Sequence, residues 1–319
     1  MAALLPPSKS DNKRERRKYQ DQLLASQIGW PDFAAIKDSA FLICVDHKPP
    51  EIGLPLQLYK HQNLSSPVKW DNFEPILDQL IQAVSPIESP IWLAKESWVR
   101  ESLTSVIFEA FKNTHDHARE EVSGAEVETS VRCIYTRFYS MEEVLTRIAS
   151  IDPIMRNPVE KYVAGFTTNP SKLSIHQTEK IPVTGFLEIS ILDSGPGMAA
   201  RWLGIDVNDI ERQRQLDAVI KCFQKGQSST QSDGRGYGLW KVLLSLEKLQ
   251  GFLSVRTNNI HGYRQFGKGV GLSTKELASG QQVEKEKLLD WKKGASTAQS
   301  VYPHVKGTVV SFMLPMGGA

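Results

Sequence analysis

The sequence predicts an α+β fold, with helices on one face of a mixed, mostly antiparallel sheet. Three observations carry that reading. Apolar runs at 186–192, 251–257 and 307–314 read as strands late in the chain. A long stretch from Glu96 to Arg119 repeats Leu103, Val106, Ile107, Ala110 and Phe111 at helical spacing. Glycine clusters stand at the boundaries between such runs, where a strand or helix must turn. Strands and helices in this order give a sheet that buries one face under helices.

The elements follow in chain order. Residues 1–20 form a basic tail containing Lys13-Arg-Glu-Arg-Arg-Lys18, which reads as a solvated terminus rather than a nucleic-acid arm. Residues 21–92 form an N-terminal extension. A helix is expected over Tyr19–Gly29, beginning at the end of the tail, then a buried strand at Phe41–Val45 and a helix over Asp71–Val84. In the last, Phe73, Ile76, Leu77, Leu80 and Ile81 share a face. Trp92-Leu93 is a short apolar element, and the main domain runs over 93–319. After the long helix, Val127–Tyr139 reads as a strand and Met141–Ser150 as a helix. Insertions are expected at about 140–183 and 261–304. The first is irregular from Asp152 to Val183, which holds four prolines; the second is polar, with a helix only over Thr274–Trp291. A helix is expected over Leu239–Leu246.

Composition narrows the function. A net charge of +2 gives no general attraction for nucleic acid or membrane. The three cysteines, Cys44, Cys133 and Cys222, lack metal-ligand spacing and suggest no disulfide framework, so a reducing cytoplasm is expected. The N-terminus lacks the apolar core of a signal peptide, and no stretch reaches the ~18 apolar residues of a membrane span.

Two segments carry chemistry. Asp193-Ser-Gly195-Pro-Gly197-Met198 ends a strand, and Asp233-Gly234-Arg235-Gly236-Tyr237-Gly238-Leu239 opens a helix. A carboxylate at a strand end can recognise a base edge. Glycines before a helix let backbone amides approach phosphate, which the helix dipole favours. The dinucleotide fingerprint fails because its sixth position is Leu239, and no Gly-Lys-Ser/Thr ending of a phosphate loop is present. On the long helix, Glu109 and Asn113 sit one turn apart and Asp116 stays near that face. That polar stripe is a candidate site for a hard cation such as Mg²⁺. His115 and His117 lie two apart and face differently, which argues against zinc.

Glu109-x-x-x-Asn113-x-x-Asp116, Asp193-x-Gly195-x-Gly197-Met198, Gly234-x-Gly236-x-Gly238-Leu239 and Gly307-Thr308 occur in the order found in GHKL ATPases. That superfamily includes gyrase B subunits, heat-shock chaperones, histidine kinases and MutL proteins, and the chain resembles it over about Glu96–Pro315. The resemblance implies a two-layer α/β sandwich of the GHKL (Bergerat) type that binds ATP with Mg²⁺. It implies that Asn113 and Glu109 hold the metal and that Glu109 activates the attacking water. Asp193 would accept the adenine amino group; Gly195, Gly197 and Met198 would form that turn and pocket. Gly234, Arg235, Gly236, Tyr237, Gly238 and Leu239 would bring amides to the phosphates. Asp116 and His117 would lie near them, and Thr308 would support Asp193 or a water at adenine. A lid over about 199–233 would carry Lys225, Ser228 and Ser229 toward phosphate.

An ATPase acting as a conformational switch for a partner protein, with homodimerisation possible, is the expected function. A protein kinase acting on a separate partner and a nucleotide-gated binding module are the alternatives. His47 and His61 lie outside any long amphipathic helix, which argues against self-phosphorylation on histidine.

Overall fold

A computed structural model describes residues 39–65, 67–84, 97–167, 173–174, 180–181, 183–208, 210–226, 237–266, 288–294 and 300–317. Its elements are β1 (Ser39–Val45), α1 (Pro50–Gly53), α2 (Glu74–Val84), α3 (Ser97–His117), β2 (Val131–Ser140), α4 (Met141–Ser150) and α5 (Pro153–Thr167). There follow β3 (Leu173–Ser174), β4 (Lys180–Ile181), β5 (Val183–Asp193), α6 (Met198–Leu203), α7 (Arg212–Cys222), α8 (Gly238–Lys248), β6 (Phe252–Asn258), β7 (Ile260–Gln265), β8 (Leu289–Asp290) and β9 (Val305–Gly317). The class is α+β. Seven strands form an open sheet in the order β1-β2-β5-β9-β6-β7-β8, and β3 pairs with β4 separately. All the named strand pairings are antiparallel.

Alternation along the strands decides which side chains meet which helices. Leu187, Ile189 and Ile191 of β5, with Val310, Phe312 and Leu314 of β9, enter one core with α2, α3, α7 and α8. β1 and α2, from the stretch read as an N-terminal extension, belong to this same core: Leu42, Leu77 and Leu80 are fully buried in it. β1 closes one edge of the sheet through seven residues paired with β2.

The expectation of helices on one face requires correction. Phe186 points opposite to Leu187 and joins Phe252 and Tyr263 in a second core under α4 and α5. α5 lies in the stretch expected to be irregular because of its prolines. Pro153 opens the helix, where its missing N–H is harmless. Tyr162 then anchors the helix, donating its hydroxyl to the carbonyls of Gln250 (2.8 Å) and Met313 (3.1 Å). Its ring lies against Phe166, Phe186 and Phe252. Large apolar side chains on the second face of the sheet thus receive a cover. α4 matches its expected span and is capped by the Ser140 hydroxyl, which accepts from the Glu143 amide at 3.1 Å.

The second insertion contributes β7 and β8 to the sheet edge. Leu289–Asp290 is a strand, not the end of a helix, and residues 274–287 lie outside the described residues. Asp290 is fully buried because it accepts from the amides of Lys292, Lys293 and Ser300 and from the Ser300 hydroxyl. The expected helix at 19–29 and the element at 92–93 also lie outside the described residues. Among those described, no helix is long and apolar enough to cross a membrane.

Candidate functional site

The site begins where β5 ends. Asp193 pairs with Thr308 of β9, and Thr308 also pairs with Thr257 of β6, so three strand ends meet. The turn after Asp193 is held from below. The Gly195 amide donates to Asp193 Oδ1 at 3.0 Å, and the Met198 amide donates to Thr257 Oγ1 at 3.0 Å. Asn258 is fully buried; its Nδ2 donates to the Pro196 carbonyl at 2.9 Å. Glycine is required twice here. A Cβ on Gly195 would lie 2.6 Å from Ala118 Cα, and Gly197 has φ +91° with the Asn258 side chain 2.6 Å from its would-be Cβ.

Asp193 is half-buried on the cavity wall. Burial pushes its carboxyl up to about 6, although the amides of Gly195 and Thr308 and the charge of Arg132 pull it down.

The second half of the site lies between α3 and α8. Asn113 Nδ2 donates to the Glu109 carbonyl at 2.8 Å, which leaves Oδ1 as the oxygen able to take a cation. Glu109 meets the first residue of α8: a Cβ on Gly238 would stand 2.9 Å from Glu109 Oε2 and 3.6 Å from Asn113 Nδ2. Glu109 Oε1 accepts from Lys241 Nζ at 3.0 Å, across the two helices. Asp116 pairs with Lys112 on its own helix. Among the described residues, no group of three or more His, Cys, Asp or Glu side chains gathers as a metal-holding cluster. A single amide oxygen with one nearby carboxylate suits a cation that keeps its waters and rests on substrate phosphates.

These parts line one cavity of about 340 Å³, within the ~300–1,000 Å³ usual for small-molecule sites. Of the sequence-expected residues it brings together Glu109, Asn113, Asp116, His117, Asp193, Gly197, Met198, Tyr237, Gly238, Leu239 and Thr308. Gly195 supports the turn from behind. Lys225 follows α7 and does not line the cavity. Ser228, Ser229, Gly234, Arg235 and Gly236 lie outside the described residues.

Sequence reasoning missed Lys241, Trp202 and the supporting pair Thr257 and Asn258. No local signal marked the pair, because Ser254 and Arg256 make β6 polar at other positions too. For Trp202 the available signal was an aromatic residue four positions after Met198.

Behind the site lies a buried polar cluster. Arg132 of β2 is fully buried and donates from Nε to Asp46 Oδ2 at 2.8 Å and from a second nitrogen to Asp46 Oδ1. It also donates to the Tyr59 hydroxyl and lies over the Tyr59 and Phe111 rings. Tyr59 OH meets His115 Nδ1 at 2.9 Å, two residues past Asn113. Burial, with the charges of Arg119 and Arg132, pushes His115 down to about 4, so the ring is neutral at neutral pH. His115 thus pairs with Tyr59 and does not line the cavity, which His117 does.

Comparison with protein-family models, with curated proteins and with solved structures yields no match.

Proposed function

We propose that the chain binds ATP with Mg²⁺ in this cavity and hydrolyses it, as a GHKL-type ATPase whose nucleotide state switches a partner protein. The observation that carries the reading is the convergence of separated segments on one cavity. Asp193 and Thr308 come from strand ends, Gly197 and Met198 from the turn, Glu109 and Asn113 from α3, and Gly238 from α8. An open antiparallel sheet covered by α3 and α8 supports the Bergerat-type assignment.

Each residue then has a task. Asp193 accepts a hydrogen bond from the exocyclic amine of adenine, while Met198 and Trp202 supply apolar contact to the base. The first turn of α8 presents backbone amides and a favourable dipole to phosphate. Bound Mg²⁺, held by Asn113 Oδ1, would neutralise phosphate charge. Glu109 orients a water and takes its proton as the water oxygen attacks the terminal phosphorus; the bond to the bridging oxygen breaks, releasing ADP and phosphate.

Glu109→Ala is expected to lower phosphate release by about 10²–10⁴-fold while ATP still binds. Phosphate release equal to wild type in that variant would remove Glu109 from the chemistry.

The base site has a pH signature. An adenine amine donating to Asp193 favours the carboxylate, so bound Asp193 titrates below its free value of about 6. Adenosine affinity is therefore full above pH 6 and falls about tenfold per pH unit below it, down to the lower value of the complex. Asp193→Asn should lose most affinity and all of this dependence. Its melting temperature at pH 7 should match or exceed wild type, because a carboxylate whose folded value is raised opposes folding when ionised. Affinity that stays flat from pH 7.5 to 5 in wild type would exclude Asp193 as the acceptor.

A further inference from the structure

Lys241 stands in the second half of the site, between α3 and α8, and no sequence motif points to it. It lies three positions after Gly238, hence on about the same face of α8, one turn on. It lines the cavity with Glu109 and Asn113. Its ammonium donates to Glu109 Oε1 at 3.0 Å. The partners are unequal: the Glu109 side chain is 12% exposed and the Lys241 side chain 56%. Glu109 is confined, with Oε2 against Gly238, whereas Lys241 is a cation on a flexible stem.

The cation of the pair stands largely in solvent, where an ion pair is weak and screened, so Lys241 can exchange one anion for another. Phosphate groups drawn to the first turn of α8 would lie within reach of the same ammonium and carry more negative charge than a carboxylate. Among the described residues, the other lysine on the cavity, Lys112, is tied to Asp116 along its own helix, an ordinary surface arrangement. Lys241 instead crosses between helices to the carboxylate that the hydrolytic reading needs free.

We propose that Lys241 is the phosphate-sensing residue of the site: it exchanges Glu109 for nucleotide phosphate, which secures the polyphosphate and releases Glu109 to hold water. This rests on the nucleotide reading above and adds the residue that distinguishes nucleotide from nucleoside. It also sets the two anions in competition, so removing the Glu109 charge should strengthen phosphate binding.

The experiment is calorimetric titration of the full chain with ATP, ADP and adenosine in Mg²⁺ buffer, for wild type, Lys241→Gln, Lys241→Arg and Glu109→Gln. Lys241→Gln should weaken ATP about tenfold and leave adenosine within about twofold. Lys241→Arg should restore most of the ATP affinity, and Glu109→Gln should bind ATP tighter than wild type. The Lys241→Gln deficit should shrink in high salt, where an exposed cation is screened. A Lys241→Gln variant that loses ATP and adenosine equally, or neither, would make Lys241 a clamp between α3 and α8 and overturn the proposal. Wild type that binds neither ATP nor adenosine would overturn the nucleotide reading, and this proposal with it.

Discussion

Replacing Asp46 by alanine is expected to destabilise the protein by about 3–5 kcal/mol, read as a lowered urea midpoint. The size comes from what is left behind. Arg132 is fully buried, and Asp46 is the carboxylate that neutralises it through two guanidinium nitrogens. Burial alone would raise the Asp46 carboxyl. Hydrogen bonds and charge from Arg132, with the Ser130 hydroxyl, outweigh burial and hold it below the ordinary carboxylate value. Alanine at 46 strands the guanidinium among Tyr59, Phe111 and Cys44, where, among the described residues, the Tyr59 hydroxyl is the remaining hydrogen-bond partner.

The consequence reaches past β1. Asp46 also accepts from the Ser130 hydroxyl, and its amide donates to the Ser130 carbonyl at 3.1 Å, so one carboxylate closes the end of the β1–β2 pair. A double variant, Asp46→Ala with Arg132→Met, removes both charges and should be more stable than Asp46→Ala alone. A single-variant loss under about 1 kcal/mol, or a double variant weaker than the single, would show that the pair is not a buried charge neutralised in place.

What could be read from the sequence is what local chain geometry encodes. Gly195, Gly197 and Gly307 were visible because each serves a turn or a backbone approach, and such needs are written at one position. Glu109 and Asn113 were visible because helical spacing puts them on one face. The core strand β5 was visible through its apolar content, but its alternation also sent Phe186 to the far side, and what covers that side could not be inferred. α5 was hidden because proline breaks helices: Pro153 sits where a helix accepts it, but Pro158 lies inside the helix, which persists because Tyr162, Val163 and Phe166 pack into the second core.

Pairings across the fold were not legible. Glu109 and Lys241 are 132 positions apart, and Arg132 and Asp46 are 86 apart. Each residue alone is an ordinary charge on an ordinary element; only sheet order and helix packing join them. Asn258 likewise gives no local sign that its amide holds a turn 62 positions earlier. Motif residues are legible singly, whereas the residues that position them are legible only as contacts.

Gly307→Ala is expected to cost about 2–5 kcal/mol and to weaken adenosine binding in the protein that still folds. Two penalties combine. Gly307 has φ +89°, a backbone conformation that L side chains rarely adopt. Its would-be Cβ lies 2.1 Å from the Asp193 carbonyl oxygen and 3.0 Å from Ser194 Cα. These obstacles are backbone, so no rotamer change relieves them. β9 must shift away from β5 at the point where Thr308 pairs with Asp193, and the register irregularity between Thr257 and Asn258 is adjacent. Stability and adenosine binding at the proposed site should therefore fail together. Gly124 separates the two penalties: its φ is +86°, yet nothing lies within 4 Å of its would-be Cβ. Gly124→Ala should cost only about 1 kcal/mol and leave adenosine affinity unchanged. Equal losses of stability in the two variants would mean that the close approach of β9 to the Asp193 carbonyl contributes nothing. A larger loss in Gly307→Ala, accompanied by weaker adenosine binding, would assign the excess to that approach and make this glycine part of the base site through its backbone alone.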